Sequence, residues 1–378
     1  MPSYGFLSTH PPTRCGLATF NSALAAHLTA DGTRGGIVRV TDRGDDQRAG
    51  VGVVHTWSTL TPGGWRDAAA ALNTFDVAIV QHEYGIYPGS DGEDVLPLLR
   101  RLTVPSIVVL HTVLRQPSAR QKSLLEQIVA AAGAVVTMTD TAHDRLLVGY
   151  AVSPAKVTVI PHGAAEHSHV PAERRTRPHL LTWGLLGPGK GVEWSLRALA
   201  RLQDLEPTPT YTIAGRTHPK VIEHHGEAYR ARLHRLGAEL GVAHAVDYQD
   251  VYHDQVALSQ LIRSADVVVL PYDSREQVTS GVLIEAVAAG VPVVATAFPH
   301  AVELLTGGPG LVVPHQDPAA LAVAIRRILL EPGLAARLAG RVRPLAADLR
   351  WPAVAARYGT LAEQLTEVRP PAVSAASA

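Results

Sequence analysis

Short apolar runs, rich in β-branched residues, alternate along the chain with longer stretches whose apolar positions recur at helical spacing. The runs at Tyr4–Ser8, Val51–His55, Val77–Val80, Ser106–Leu110, Ala134–Met138 and Val157–Ile160 read as buried strands. A second series reads likewise: Leu180–Trp183, Tyr211–Gly215, Val246–Val251, Val267–Leu270, Val291–Thr296 and Leu311–Val313. Helices are predicted over Thr19–Leu28, from the Thr139–Thr141 caps to Tyr150, and over Val192–Leu202 and Tyr229–Leu240. Further helices are predicted over Leu258–Ser264, Ala319–Leu330 and Trp351–Val368. Strands alternating with helices imply an α/β fold of two Rossmann-like, doubly wound domains facing a cleft. The expected division is 1–170 and 179–350, with a Glu- and Arg-rich linker at 171–178, a final helix at 351–368 and a disordered tail at 369–378.

The stretch from Val267 to His300 is the most informative. A strand ends at Pro271, a polar loop runs from Tyr272 to Gln277, and Thr279-Ser280-Gly281 opens a helix with Thr279 or Ser280 as N-cap. That helix ends at Gly290, and Pro292 prevents its continuation. Free amides and the helix dipole make such a helix tip an anion site, so a phosphate is expected at Ser280 and Gly281. Glu285 lies one turn further on the same face and suits the hydroxyls of a ribose. A solvated helix carboxylate is the competing reading.

Gly184-Leu-Leu-Gly-Pro-Gly-Lys190-Gly191 follows a strand and precedes a helix. It matches a P-loop up to the last position, where Gly191 replaces the Ser or Thr that would hold Mg²⁺. An NTPase is therefore discounted. Gly189 and its neighbours still let backbone amides approach a diphosphate, which Lys190 can neutralise. Arg216 and Thr217 stand at the end of the next strand.

In the first half, His10-Pro-Pro-Thr-Arg-Cys-Gly16 links a strand to a helix without G-x-G-x-x-G, which argues against a dinucleotide. Gln81-His-Glu-Tyr-Gly-Ile-Tyr-Pro-Gly-Ser-Asp-Gly follows another strand. His82 and Glu83 there can bind a sugar acceptor or simply fix the loop. His111 ends a further strand, where an imidazole can position a hydroxyl.

Composition narrows the picture. Charge is balanced, with 34 basic and 34 acidic residues, so general attraction to nucleic acid or anionic membrane is not expected. No apolar run is long enough for a transmembrane segment, and none after Met1 reads as a signal peptide. The single cysteine, Cys15, suits a reducing cytoplasm. The histidines from His218 to His253 lack a zinc-ligand spacing and read as surface. No D-x-D triplet occurs, and no metal or cofactor is expected.

The region 267–300 resembles the donor signature of the family 4 glycosyltransferases, whose pattern is a Glu, seven residues, then a second Glu. Glu285 matches the second, and Gln277 stands at the first, with Glu276 one place away. Lys190-Gly191 matches the family's Lys-Gly, while Leu185 stands where its Arg is expected; Arg216 or Arg14 can supply that cation. Pro161-His162-Gly163 is similar to the family's Ile-Pro-x-Gly, and the Pro-Pro-x-x-Cys-Gly-x-Ala-Thr-Phe string resembles a bacterial subgroup. The resemblance implies a GT-B fold whose final helix crosses back to the first domain, and Phe298–Glu303 capping the donor site. It implies retaining transfer of a hexosyl group from a UDP- or GDP-linked sugar to a sugar, glycan or small-molecule acceptor. Lys190, His111 and Gln277 then serve catalysis. Gly16, Arg14, Gly189, Arg216, Thr279, Ser280, Gly281 and Glu285 bind donor, and His82 and Glu83 bind acceptor. The rival readings are a nucleotide-sugar 2-epimerase, a dinucleotide-dependent oxidoreductase and a non-catalytic nucleotide-sugar-binding protein.

Overall fold

The computed structural model describes residues 1–42, 50–167 and 175–367. The first part of the expected linker, 171–174, and the expected tail lie outside these residues. The chain divides into two compact units, Met1–Pro161 with Trp351–Ala378, and His162–Arg350.

The first unit is built on a parallel sheet of β1 (Tyr4–Ser8), β2 (Gly35–Thr41), β3 (Val53–Ser58), β4 (Val77–His82), β5 (Ser106–Leu110), β6 (Ala134–Thr137) and β7 (Val157–Val159). Among the described residues its order is β3-β2-β1-β4-β5-β6-β7. Strands β1, β4, β5 and β6 are buried at every position, as expected of a parallel sheet covered by helices on both faces. The final helix, Trp351–Glu367, belongs to this unit and packs Trp351, Val354 and Tyr358 into the same core as Phe6, Phe20 and Ile79. Strand β2 was not predicted. Its run is opened by two glycines and interrupted by Arg39, which is buried.

Among the described residues the second unit holds a six-stranded parallel sheet of β8 (His179–Trp183), β9 (Thr210–Ala214), β10 (Val246–Gln249), β11 (Val267–Leu270), β12 (Val293–Thr296) and β13 (Gly310–Val313). Its order is β10-β9-β8-β11-β12-β13. Val268 pairs in register with Leu181 on one side and Val293 on the other, so β11 lies mid-sheet, fully buried.

Both sheets reverse their winding at one place. In the first unit it lies between β1 and β4, and in the second between β8 and β11. The loops leaving the C-terminal ends of such a strand pair open a crevice, where ligands bind in open α/β sheets. In the second unit those loops are Gly184–Gly191 and Pro271–Ser280. In the first they are the segments after Ser8 and after His82.

Candidate functional site

The two loops of the second unit are locked together. Asp273 donates its backbone N–H to the Gly189 carbonyl at 2.9 Å, and Trp194 donates its indole N–H to the Asp273 carboxylate at 2.9 Å. Gly191 has φ 63°, and a Cβ there would lie 1.8 Å from the Pro271 carbonyl oxygen. Only glycine fits, so the residue that breaks the P-loop pattern is set by packing. Gly189, with φ 87°, has no atom within 4 Å of a would-be Cβ, and its exposed backbone can approach a ligand.

This geometry carries Lys190 over the ring of Tyr272, with Nζ 4.3 Å from the ring centroid. Lys190 is half-buried and has no carboxylate partner among the described residues. Loss of water lowers its pKa below the usual lysine value. Tyr272 is buried and stacks on Phe298 at 5.1 Å. Its hydroxyl faces Ser280, the N-cap of the helix Gly281–Ala288. A Cβ on Gly184 would lie 3.6 Å from Val282, so the start of the glycine loop reaches the same helix tip.

At that tip the amides are not equivalent. Ser280 Oγ accepts from the Leu283 amide at 3.3 Å, as an N-cap should. The Ser280 N–H, expected to face a phosphate, instead donates to Nδ1 of the buried His300 at 2.8 Å. That bond needs a neutral imidazole, and burial lowers the His300 pKa to about 3. Gly281 and Val282 open the helix, where first-turn amides have no partner within the helix itself. A Cβ on Gly281 would lie 2.7 Å from Nε2 of His162, so an imidazole covers the spot where position 281 has no side chain. Thr279 does not cap the helix; its carbonyl accepts from the Gln277 amide at 3.1 Å.

Glu285, one turn on, is mostly buried. Its carboxylate accepts from His167 Nε2 at 2.7 Å and from the Ala165 N–H at 3.3 and 3.2 Å. Arg216 is exposed, with Nε 3.9 Å from Asp250, and its carbonyl holds the Leu186 N–H. Arg230 is the buried cation at this edge. It donates to the Gly215 carbonyl at 2.6 Å and to Asp250 at 3.0 Å. The reading of His218 as surface is corrected. It is half-buried, caps the helix Pro219–His225, and has its pKa lowered by burial, by Lys220 and by Lys190. Among the described residues, no three His, Cys, Asp or Glu side chains cluster as metal ligands.

The family described as "Glycosyltransferase Family 4" matches residues 15–166, and "Glycosyl transferases group 1" matches residues 177–331. Sucrose-phosphate synthase from Thermosynechococcus elongatus superposes with a TM-score of 0.76 at 20% identity, covering 98% of this chain and 100% of that one. HepE from Anabaena, solved with UDP and glucose, gives 0.75 at 15% identity, over 96% and 100%. The chain has the GT-B fold, with a glycosyltransferase domain matched in each half. A D-inositol 3-phosphate glycosyltransferase from Streptomyces bingchenggensis is 30% identical over 285 residues, 68% of this chain. The GT-B chain spans 60% of that relative's length. Among its described residues no helix is long and apolar enough to cross a membrane.

The first unit of the GT-B chain brings His82, Glu83 and His111 to the ends of β4 and β5. His111 Nε2 meets Gln81 Oε1 at 2.8 Å, and its ring packs edge-on against Phe20 at 4.9 Å. Glu83 accepts from the Thr112 hydroxyl at 2.5 Å and from the Tyr84 amide at 3.0 Å, so it braces both loops. His82 points inward. It is 1% exposed, its two ring nitrogens have no partner, and burial lowers its pKa to about 4. Arg14 and Gly16 are exposed at the start of the helix Gly16–Leu28. Cys15 caps that helix, with Sγ accepting from Ala18 N at 3.4 Å and 3.2 Å from Thr9 Oγ1. Gln81 is a site residue that the sequence motif alone does not single out. It is buried at the end of β4, and the sequence signal for it is a polar residue directly after the apolar run Val77–Val80.

Proposed function

We propose that this chain moves a hexosyl group from a nucleotide-diphosphate sugar to an acceptor hydroxyl, with retention of anomeric configuration. The carrying observation is the Lys190 ammonium. It is drawn out of water over Tyr272, unmatched by a described carboxylate, on a loop whose glycines leave backbone open. Beside it the helix tip offers the Gly281 and Val282 amides. Such a site suits a diphosphate and stabilises the charge that grows on it as the bond to the anomeric carbon breaks. The departing electrons go to the diphosphate oxygen. The acceptor oxygen bonds the anomeric carbon on the same face, and its proton passes to the departing phosphate. Glu285 takes the ribose and Gln277 the donor sugar, and His111 keeps the role of positioning a hydroxyl. His82 is too buried to touch an acceptor as it stands, so Glu83 is the better acceptor contact. No metal is required by this scheme. The subgroup suggested by the Cys15 loop and a cytoplasmic location belong to the same proposal.

The inositol phosphate named for the relative and simple sugars make a first acceptor panel. The test is a thermal-shift screen of UDP-, GDP- and ADP-sugars, followed by NMR of products formed with that panel. Stabilisation by one donor and an axial or equatorial anomer matching it support the reading. The absence of any donor shift overturns it.

One observation favours a second reading, donor binding without turnover. The Gln277 side-chain NH₂ donates to the Thr279 carbonyl at 3.1 Å, which ties one of its two donors inside its own loop. That reading predicts strong donor stabilisation and no product with any acceptor.

A further inference from the structure

We infer that His167, fixed by Ser259, is the positioning residue that aims Glu285 at the nucleotide ribose; this rests on the ribose role proposed above. The three residues form a chain. Ser259 Oγ lies 2.9 Å from His167 Nδ1, and His167 Nε2 lies 2.7 Å from Glu285 Oε2. His167 is 3% exposed and Ser259 2%. Ser259 stands in the helix Gln255–Arg263 and donates to the Gln255 carbonyl at 2.7 Å, so its hydroxyl is itself held in place. Arg263 grips the His167 carbonyl at 3.0 Å. The imidazole is therefore fixed at both nitrogens and at its own backbone.

The two carboxylate oxygens of Glu285 are left unequal. Oε2 takes the short bond from His167. Oε1 takes only a share of the Ala165 amide, at 3.3 Å. A carboxylate oxygen accepts two hydrogen bonds, so Oε1 retains capacity for an incoming hydroxyl. Without His167, a glutamate one turn into the helix keeps its side-chain torsions free and loses that orientation. Nothing local in the sequence marks this chain, because Ser259 and Glu285 sit 92 and 118 residues from His167.

A purely structural clamp would be indifferent to the ribose hydroxyls, which gives the test. Calorimetry compares UDP and GDP with their 2′-deoxy and 3′-deoxy forms, in the full chain and in His167→Phe, His167→Gln and Ser259→Ala. The wild type is expected to favour the ribonucleotide by about tenfold, the size of one hydrogen bond to a charged group. In His167→Phe the ribonucleotide loses that preference while the deoxy form binds almost as before. His167→Gln restores part of it, and Ser259→Ala weakens it. Full wild-type preference in folded His167→Phe overturns the positioning role and leaves the ribose reading intact. Should that variant not fold, an unchanged ratio in Ser259→Ala overturns it instead. A wild type indifferent to the ribose hydroxyls removes the ribose role of Glu285 and this inference together.

Discussion

Gly191 and the carbonyl of Pro271 occupy the same space that a side chain at position 191 would need. A Cβ there would lie 1.8 Å from that oxygen and 3.0 Å from the Trp194 ring, on a backbone at φ 63°. The contact presses the loop after β8 onto the end of β11. Lys190, one residue earlier, is thereby set over Tyr272, two residues past the end of the strand. The residue that breaks the P-loop pattern is thus fixed by packing, and the same packing places a cation over an aromatic ring.

Completing the P-loop pattern should therefore damage the protein. Gly191→Ser must adopt a left-handed backbone, at roughly 1–2 kcal/mol, and displace Pro271 or Trp194, at roughly 1–3 kcal/mol more. Urea unfolding should show a loss of about 3 kcal/mol or more. A variant as stable as the wild type would mean the loop is not packed this way.

Lys190→Ala should lower the transfer rate by at least roughly two orders of magnitude, the size of a lost charge stabiliser. The pH profile carries a second check. Burial lowers the Lys190 pKa, so its positive charge is lost as pH rises, at a pH below that of an ordinary lysine. Activity should fall on the alkaline side accordingly. Lys190→Arg should abolish that fall, because a guanidinium stays charged. If the alkaline fall persists in Lys190→Arg, the titrating group is another residue.

Position 281 and His162 should behave as a coupled pair. Gly281→Ala places a methyl 2.7 Å from His162 Nε2, and either the ring or the helix tip must move. Nucleotide affinity should drop about tenfold, and His162→Ser in the same chain should recover most of it. Simple additivity of the two changes in a binding titration would refute the coupling.

Much of this is legible in the sequence alone. The buried strands announce themselves because a parallel sheet covered on both faces is apolar at every position, as in Val267–Leu270. The glycine loop and a helix cap at Thr279 or Ser280 follow from the backbone chemistry of glycine and of the hydroxyl residues, and the structure selects Ser280. What stayed hidden is non-local or short. The helix Trp65–Leu72 has no side-chain N-cap bond to mark it, and β2 is masked by Gly35, Gly36 and the buried Arg39. The Ser280–His300 bond joins residues 20 apart and takes an amide that local reasoning assigned to a phosphate. His167 reaches Glu285 only through the fold.

Acid should destabilise the chain earlier than its balanced charge suggests. Burial lowers the pKa of His82 and of His179 from 6.5 to about 4, and of His300 to about 3. These rings are neutral in the folded state down to those values, whereas in the unfolded chain they take up protons below about 6.5. Between pH 6.5 and 4 the unfolded state therefore binds more protons, and stability falls as pH falls. Each buried histidine contributes at most about 1.4 kcal/mol per pH unit to that slope. His82 has no hydrogen-bond partner to lose, so His82→Leu should flatten the slope by up to that amount while costing little at pH 7. Protonation of His300 also breaks its bond from the Ser280 N–H, so nucleotide affinity should fail along with stability at the acid end. Urea unfolding of wild type and His82→Leu at pH 7, 6 and 5 decides the matter; parallel slopes would show that His82 is not held neutral in the folded state.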